Sequence, residues 1–364
     1  MAPLRHFFIM STVNVRVNGR GNAWPVILGQ DHPFYNRHNF EDLANASFSI
    51  IKSSSKDPKE KDIEWDLMID AGHGAVQYLL KNCNRIPEAV FLTHPNIDHT
   101  LGLDWIVQSY YKVYQTPYPV YATILCWKIV KTTFPHLVGL IEFKEIIPYE
   151  KIEIQEIEGV ELIPFPAYHG KSAVGATMLF FIVHEDNIKR KILFTGDILC
   201  PLLREEDYTI ISEVDLLVTD ANNRFPYPKS NHWSITGGLY DNMSQYLSAF
   251  FDQCTLGLLL EPHLLYNATD NYARCFDYFL NREISIADFY FTLESFIKRI
   301  SPHKVALIHY SGGEDLKYYN ENILTTQELE LWANNSIGSS LSSQFIVPYV
   351  SQHMDFLTTT KTTN

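Results

Sequence analysis

A chain of 364 residues with 46% hydrophobic and 20% charged residues has the composition of an ordinary globular protein, long enough for one large domain or two small ones. Its formal charge of −13 argues against long RNA or DNA as ligand, because affinity for a polyanion rests on basic surface that releases phosphate counterions. Five cysteines without a Cys-x-x-Cys pair suggest reduced thiols and a cytosolic protein, and no apolar run reaches membrane-spanning length. Met1 to Met10 is too short for a signal peptide, and Met10 offers an alternative start.

From the amino end, Thr12 to Asn18 alternates, with Val13, Val15 and Val17 on one face, and predicts a strand. Gly19-Arg20-Gly21-Asn22 reads as a turn, Ala46 to Ile51 as the next strand and Ser53 to Lys61 as a charged surface loop. Asp66 to Asp70 predicts a strand, followed by a helix towards Lys81, and Ala89 to Thr93 a further strand. Lys151–Ile157, Glu161–Ala167, Thr177–His184, Lys191–Thr195 and Asp215–Thr219 read as successive strands rich in Ile, Phe and Val, with Lys189-Arg190-Lys191 at a solvated hairpin tip. From Ser234 the pattern turns helical and aromatic to about Ile300; Val305–Ile308 and Phe345–Val350 are the final strands. There is no internal repeat or clear linker. The expectation is a single domain over 1–364, with a helical elaboration over about 222–300 and a polar tail over 352–364.

The chemistry concentrates where apolar runs stop. Ala89-Val90-Phe91-Leu92 gives way to Thr93-His94-Pro95-Asn96-Ile97-Asp98-His99, which crowds two imidazoles, a carboxylate and an amide into six positions. Packing explains such a strand end poorly. A bound metal explains it well, because neutral His and ionised Asp are ligands of zinc and its neighbours. Asp70 ends the run Leu67-Met68-Ile69, His169 follows Pro166-Ala167-Tyr168, Asp197 follows Phe194-Thr195-Gly196, and His309 follows Leu307-Ile308. Open sheets gather ligands at the carboxyl ends of their strands, so residues far apart in sequence can be pooled into one site.

The spacing His94-x-Asn96-x-Asp98-His99, with those strand-end residues, resembles the metallo-β-lactamase superfamily, whose signature is His-x-His-x-Asp-His. The resemblance implies an α/β fold, a four-layer αββα sandwich. It implies one metal on His94, Asn96 and His169, a second on Asp98, His99 and His309, Asp197 bridging both, and Asp70 orienting a ligand from behind. The cofactor would be one or two divalent ions: zinc first, with manganese or iron as alternatives. Asn96 stands where the family has His, and an amide oxygen is a weaker, harder donor, so that site should bind zinc less tightly. Gly19-Arg20-Gly21-Asn22-Ala23 and Asn45-Ala46-Ser47 resemble the tRNase Z, phosphonate-pathway phosphodiesterase and PqqB-like branch. Asn231-His232-Trp233-Ser234 is similar to the His-Ser-Thr region of that branch, which makes His232 the candidate general acid beside Asp98 as the other catalytic candidate.

The function so implied is hydrolysis of a small phosphodiester, such as a cyclic nucleotide or cyclic phosphate, by metal-activated hydroxide. The alternatives are an ester, lactone or thioester hydrolase on the same site, or a PqqB-like oxidative or non-catalytic metal-binding protein. The expected partner is a small molecule, with no membrane and no long nucleic acid, and a homodimer is allowed. His73 in its Gly-His-Gly turn reads as a surface residue and His263 as a polar residue of the helical elaboration, with a place at the pocket as the alternative for each.

Overall fold

The computed structural model describes residues 12–55, 58, 60–170, 173–185, 188–226, 230–236 and 292–356. Most of the expected helical elaboration, including His263, and the end of the polar tail lie outside these residues. The chain first builds β1 (Thr12–Gly19), β2 (Ser47–Ser53) and β3 (Ile63–Ile69) as an antiparallel meander. It then adds β4 (Ala89–Phe91), β5 (Tyr118–Ala122) and β6 (Ile141–Glu145) in parallel. Parallel neighbours need crossovers, and the helices Ala75–Asn82, Leu103–Tyr114 and Ile124–Thr133 supply them.

A second sheet follows: β7 (Ile152–Glu153), β8 (Val160–Tyr168), β9 (Thr177–Glu185), β10 (Ile188–Phe194), β11 (Cys200–Pro201), β12 (Leu216–Asp220), β13 (Lys304–Ile308) and β14 (Gln344–Ile346). Its order is β11-β8-β9-β10-β12-β13-β14, with β7 beside β8. The last strand, β15 (His353–Met354), returns to the first sheet and pairs with β1, so that sheet runs β15-β1-β2-β3-β4-β5-β6.

Period-two alternation explains the layering. Along β9, Met178, Phe180 and Ile182 enter one apolar cluster while Leu179, Phe181 and Val183 enter another. The cluster between the sheets joins Val15, Phe48, Leu67 and Phe91 to Phe181, Phe194, Val218 and Ile308. A second cluster packs the outer face of the first sheet on the helices through Met68, Val90, Val120, Leu79, Val107 and Trp127. A third packs Phe180, Leu193, Leu217 and Val305 on Phe296, Ile297, Leu329 and Ala333 of the helices Leu293–Ile300 and Thr326–Ser336. Three apolar layers separate four layers of secondary structure, which is the expected αββα sandwich.

Several sequence expectations need correction. The strand expected over Lys151–Ile157 is only Ile152–Glu153, because the chain turns back through Gly159 (φ 79°) into β8 while Ile154 and Ile157 stay buried. The strand expected over Phe345–Val350 stops at Ile346, ahead of Pro348. In the basic run, Arg190 and Lys191 are engaged: Arg190 lies near Glu185 and Asp215, and Lys191 Nζ donates to the Ser212 carbonyl. Cys83, Cys126 and Cys200 are free and buried. Among the described residues no helix is long and apolar enough to cross a membrane.

Candidate metal centre

The carboxyl ends of β3, β4, β8, β10, β12 and β13 meet at one edge of the sandwich and deliver Asp70, His94, His169, Asp197, Asp220 and His309 in turn. Two of these strands end in left-handed backbone, Asp70 (φ 55°) and His309 (φ 64°). That conformation is uncommon for side-chain-bearing residues and is found disproportionately at functional sites. Asp98 and His99 come from the short helix Ile97–Thr100 just after β4. The sheets approach closely here because of Gly196 (φ 59°), where an added Cβ would lie 2.6 Å from Thr93 Cβ. The Thr195-Gly196-Asp197 turn can therefore set Asp197 against the end of β4.

Asp197 sits at the centre. Its Oδ1 is 3.4 Å from His99 Nε2, and its Oδ2 is 3.2 Å from His309 Nε2, 3.6 Å from His169 Nε2 and 3.9 Å from His94 Nε2. Asp98 Oδ2 lies 3.7 Å from both His99 Nε2 and His309 Nε2. The ligand atoms divide into Asp98, His99, Asp197 and His309 on one side and His94, His169 and Asp197 on the other.

The other face of each imidazole explains its orientation. Asp70 Oδ2 accepts from Thr93 Oγ1 (2.7 Å) and from His99 Nδ1 (2.7 Å). Because Thr93 gives its proton to Asp70, its oxygen is left to accept from His94 Nδ1 at 3.0 Å. His169 Nδ1 donates to the Asn231 carbonyl at 2.7 Å. In all three rings the proton is held on Nδ1 and the Nε2 lone pair faces the cluster, the arrangement in which second-shell groups fix metal-ligating histidines. Asp70 thus orients two ligands from behind.

The donor set fits a cation. His94 Nε2, His99 Nε2, His309 Nε2 and Asp197 Oδ1 are buried and without a hydrogen-bond partner, and buried polar groups rarely stay so. Asp70, Asp98, Asp197 and Asp220 are all buried, and among the described residues none has a lysine or arginine within ion-pair distance. Buried charge of one sign is costly unless paired or metal-bound. The titrations express the same deficit. Burial lowers the His99 pKa, but Asp197, Asp70 and Asp98 outweigh it and raise it well above its ordinary value. Burial opposes ionisation of Asp197, yet His309 and His99 hold its carboxyl well below the usual range. Burial and then His99 keep His94 neutral, and burial followed by His232 brings His169 down to about 4.

Asn96 caps the helix Ile97–Thr100 without using its side chain, and it lines the cavity in front of the cluster. That cavity, about 570 Å³, is also lined by Ala23, Trp24, Asn45, Asn231 and His232. His73 is exposed, as expected, and lines the cavity as well. The sequence reading also passed over Asp220. Its Oδ2 accepts from His232 Nδ1 at 2.6 Å, and its Oδ1 accepts from Asn222 N at 3.0 Å. The signal was present, since Asp220 ends the apolar run Leu216-Leu217-Val218 as the other site carboxylates end theirs. Burial lowers the His232 pKa, but Asp220, then Asp197 and Asp98, raise it to about 8.

Residues 66–242 match the family described as Beta-lactamase superfamily domain. That match covers just under half of the chain, and the chain has the metallo-β-lactamase fold, a fold family made up mostly of metal-dependent hydrolases. Three solved structures share the fold. A diphosphatase from the PhnP family is 15% identical, with a TM-score of 0.57 over 95% of this chain and 98% of its own. The metallo-β-lactamase-fold protein YhfI from Bacillus subtilis is 12% identical, with a TM-score of 0.51 over 94% of this chain and 100% of its own. Zinc-bound PqqB from Methylobacterium extorquens is 13% identical, with a TM-score of 0.51 over the same shares of each chain. No curated protein matches the sequence significantly.

Proposed function

We propose that the chain is a metal-dependent phosphodiesterase acting on a small diester. The observation that carries this reading is the Asp220–His232 pair, which opens into the same cavity as the His/Asp cluster. Asp98, His99, Asp197 and His309 would hold one divalent ion, and His94, His169 and Asp197, with the Asn96 amide, a second. Bound there, such ions would polarise a phosphoryl oxygen and lower the pKa of water.

The chain's own residues do the rest. Asp70 and Thr93 keep His99 and His94 in the metal-ready tautomer. Asp220 takes the Nδ1 proton of His232 in a hydrogen bond, leaving Nε2 to carry a second proton when the ring is charged. With its pKa near 8, the ring is mostly charged at neutral pH and can protonate a departing alkoxide, the step a diester with a poor leaving group needs. The fold's occurrence in a diphosphatase supports phosphoryl chemistry, and its occurrence in zinc-bound PqqB supports zinc as the first ion to try.

The test is a substrate panel on protein reconstituted with zinc or manganese: cyclic phosphodiesters, bis(p-nitrophenyl) phosphate, p-nitrophenyl acetate, a lactone and a thioester. Turnover of diesters at least tenfold above the carboxylic substrates is expected. A preference for the lactone or thioester would refute the reading.

A further inference from the structure

Trp24 is 79% exposed, and its backbone belongs to a hydrogen-bonded turn. Arg20 N and Gly21 N both donate to the Ala44 carbonyl (3.1 and 2.8 Å), and Ala46 N donates to the Gly21 carbonyl at 3.0 Å. Asn45 Nδ2 donates to the Asn22 carbonyl, and Asn22 Oδ1 accepts from Trp24 N at 3.0 Å. The turn is tight enough that a Cβ on Gly21 would lie 2.7 Å from Pro25 Cγ. Val26, two residues on, packs against the core. A large apolar ring is thus held out to solvent on a fixed stem.

Single exposed hydrophobic residues are ordinary. Leu28, four residues along and 98% exposed, is such a case, and it does not line the cavity. Trp24 does, together with Asp98, Asp197 and His309. Its apolar companions on the lining are Ile97 and Leu101, themselves 50% and 40% exposed. The polar part of the lining beyond the cluster is Asn45, Asn96, Asn231, His73 and His232. Carboxamides both donate and accept, which suits the neutral edges of a sugar or heterocycle.

We infer that Trp24 is the specificity platform on which a flat, uncharged heteroaromatic group of the substrate stacks, so that the substrate is a nucleoside diester rather than a plain alkyl diester. This rests on the phosphodiesterase reading above. Stacking of a base on an aromatic side chain is helped here by the tied backbone of the turn, which leaves only the side-chain rotamer to be ordered on binding.

The experiment compares adenosine 2′,3′-cyclic phosphate with glycerol 1,2-cyclic phosphate, which has the same five-membered diester without the base. Trp24→Ala should lower the ratio of the two kcat/KM values roughly tenfold, through KM for the adenosine compound, and Trp24→Phe should lie between it and the parent. Leu28→Ala should leave the ratio unchanged. Equilibrium binding of adenosine 3′,5′-cyclic phosphorothioate should weaken by a similar factor in Trp24→Ala. If the parent protein turns over both cyclic diesters equally, or Trp24→Ala binds the phosphorothioate as tightly as the parent, the inference is wrong while the phosphodiesterase reading stands. If no diester is turned over yet Trp24→Ala still loses phosphorothioate binding, the activity reading fails and the platform survives.

Discussion

Replacing Asp220 by Asn changes little in shape and much in charge. Asp220 is fully buried and its carboxylate accepts three hydrogen bonds: from Ile198 N (3.2 Å) and His232 Nδ1 (2.6 Å) on Oδ2 and from Asn222 N (3.0 Å) on Oδ1, with His309 Nδ1 3.9 Å from Oδ1. In Asp220→Asn one of the two oxygens becomes an NH₂ group facing an N–H, which leaves a buried donor unsatisfied. The larger effect is on His232. With Asp220 its pKa is about 8, so at pH 8 about half of the rings are charged. Returned to an ordinary value near 6.5, about 3% would be charged at that pH, roughly a fifteenfold loss of the acid form. Looser orientation of the ring should bring the total loss to about 10²–10³-fold for an alkoxide leaving group. The sign follows from a raised pKa: the acid form and the ion pair that stabilises the fold are complete below pH 6.5 and are lost as pH rises through 8. The assay is kcat against pH from 6 to 9 for adenosine 3′,5′-cyclic phosphate and for bis(p-nitrophenyl) phosphate, with metal content measured in parallel. The alkaline limb should move down in Asp220→Asn for the cyclic substrate and matter little for nitrophenolate, which leaves without a proton. A limb fixed near pH 8, or equal losses on both substrates, would refute the reasoning.

Three further expectations follow from the same geometry. Asp197→Ala removes the carboxylate shared by both ligand groups, so metal content by emission spectroscopy should fall below half of the parent's and activity should vanish on every substrate; retained metal would count against the shared site. Asn96→His supplies an imidazole beside His94 and His169, and should raise zinc affinity at that group at least tenfold in a competition titration with a chromogenic chelator. Arg16 and Asp66 form a 2.6 Å ion pair with both side chains buried, so Asp66→Ala should cost about 3–5 kcal/mol in urea unfolding, whereas a loss under about 1 kcal/mol would show the pair to be dispensable.

The legible parts of the chain were those whose chemistry and periodicity agree. β1, β8, β9 and β10 show in the sequence because apolar residues recur every second position or fill both faces, and strand-end ligands stand out because imidazoles and carboxylates interrupt apolar runs. The parallel strands β5 and β6 went unread. Tyr118-Pro119-Val120-Tyr121-Ala122 contains a proline, which normally demotes a strand, and it is held by pairing with β4 and β6, partners that lie 30 and 23 residues away at the register Val120↔Val90 and Tyr118↔Ile141. β15 is two residues long and owes its existence to β1, more than three hundred residues earlier. Asp220 was missed for a different reason: a carboxylate at a strand end names a site only once its partner is known, and His232 reaches it by a turn that no local pattern specifies.

The candidate centre draws Asp70, His94, Asp98 and His99 from one sheet and His169, Asp197 and His309 from the other. Neither sheet alone owns a complete donor set, so a tight ion can be captured only after the two have docked, and the contacts it would seal join residues as distant as Asp98 and His309. Ion release would then be slow for a mechanical reason. The ion would leave at the rate at which the seam between the sheets opens, and a chelator would act as a clock for that opening rather than as a competitor for exposed ligands.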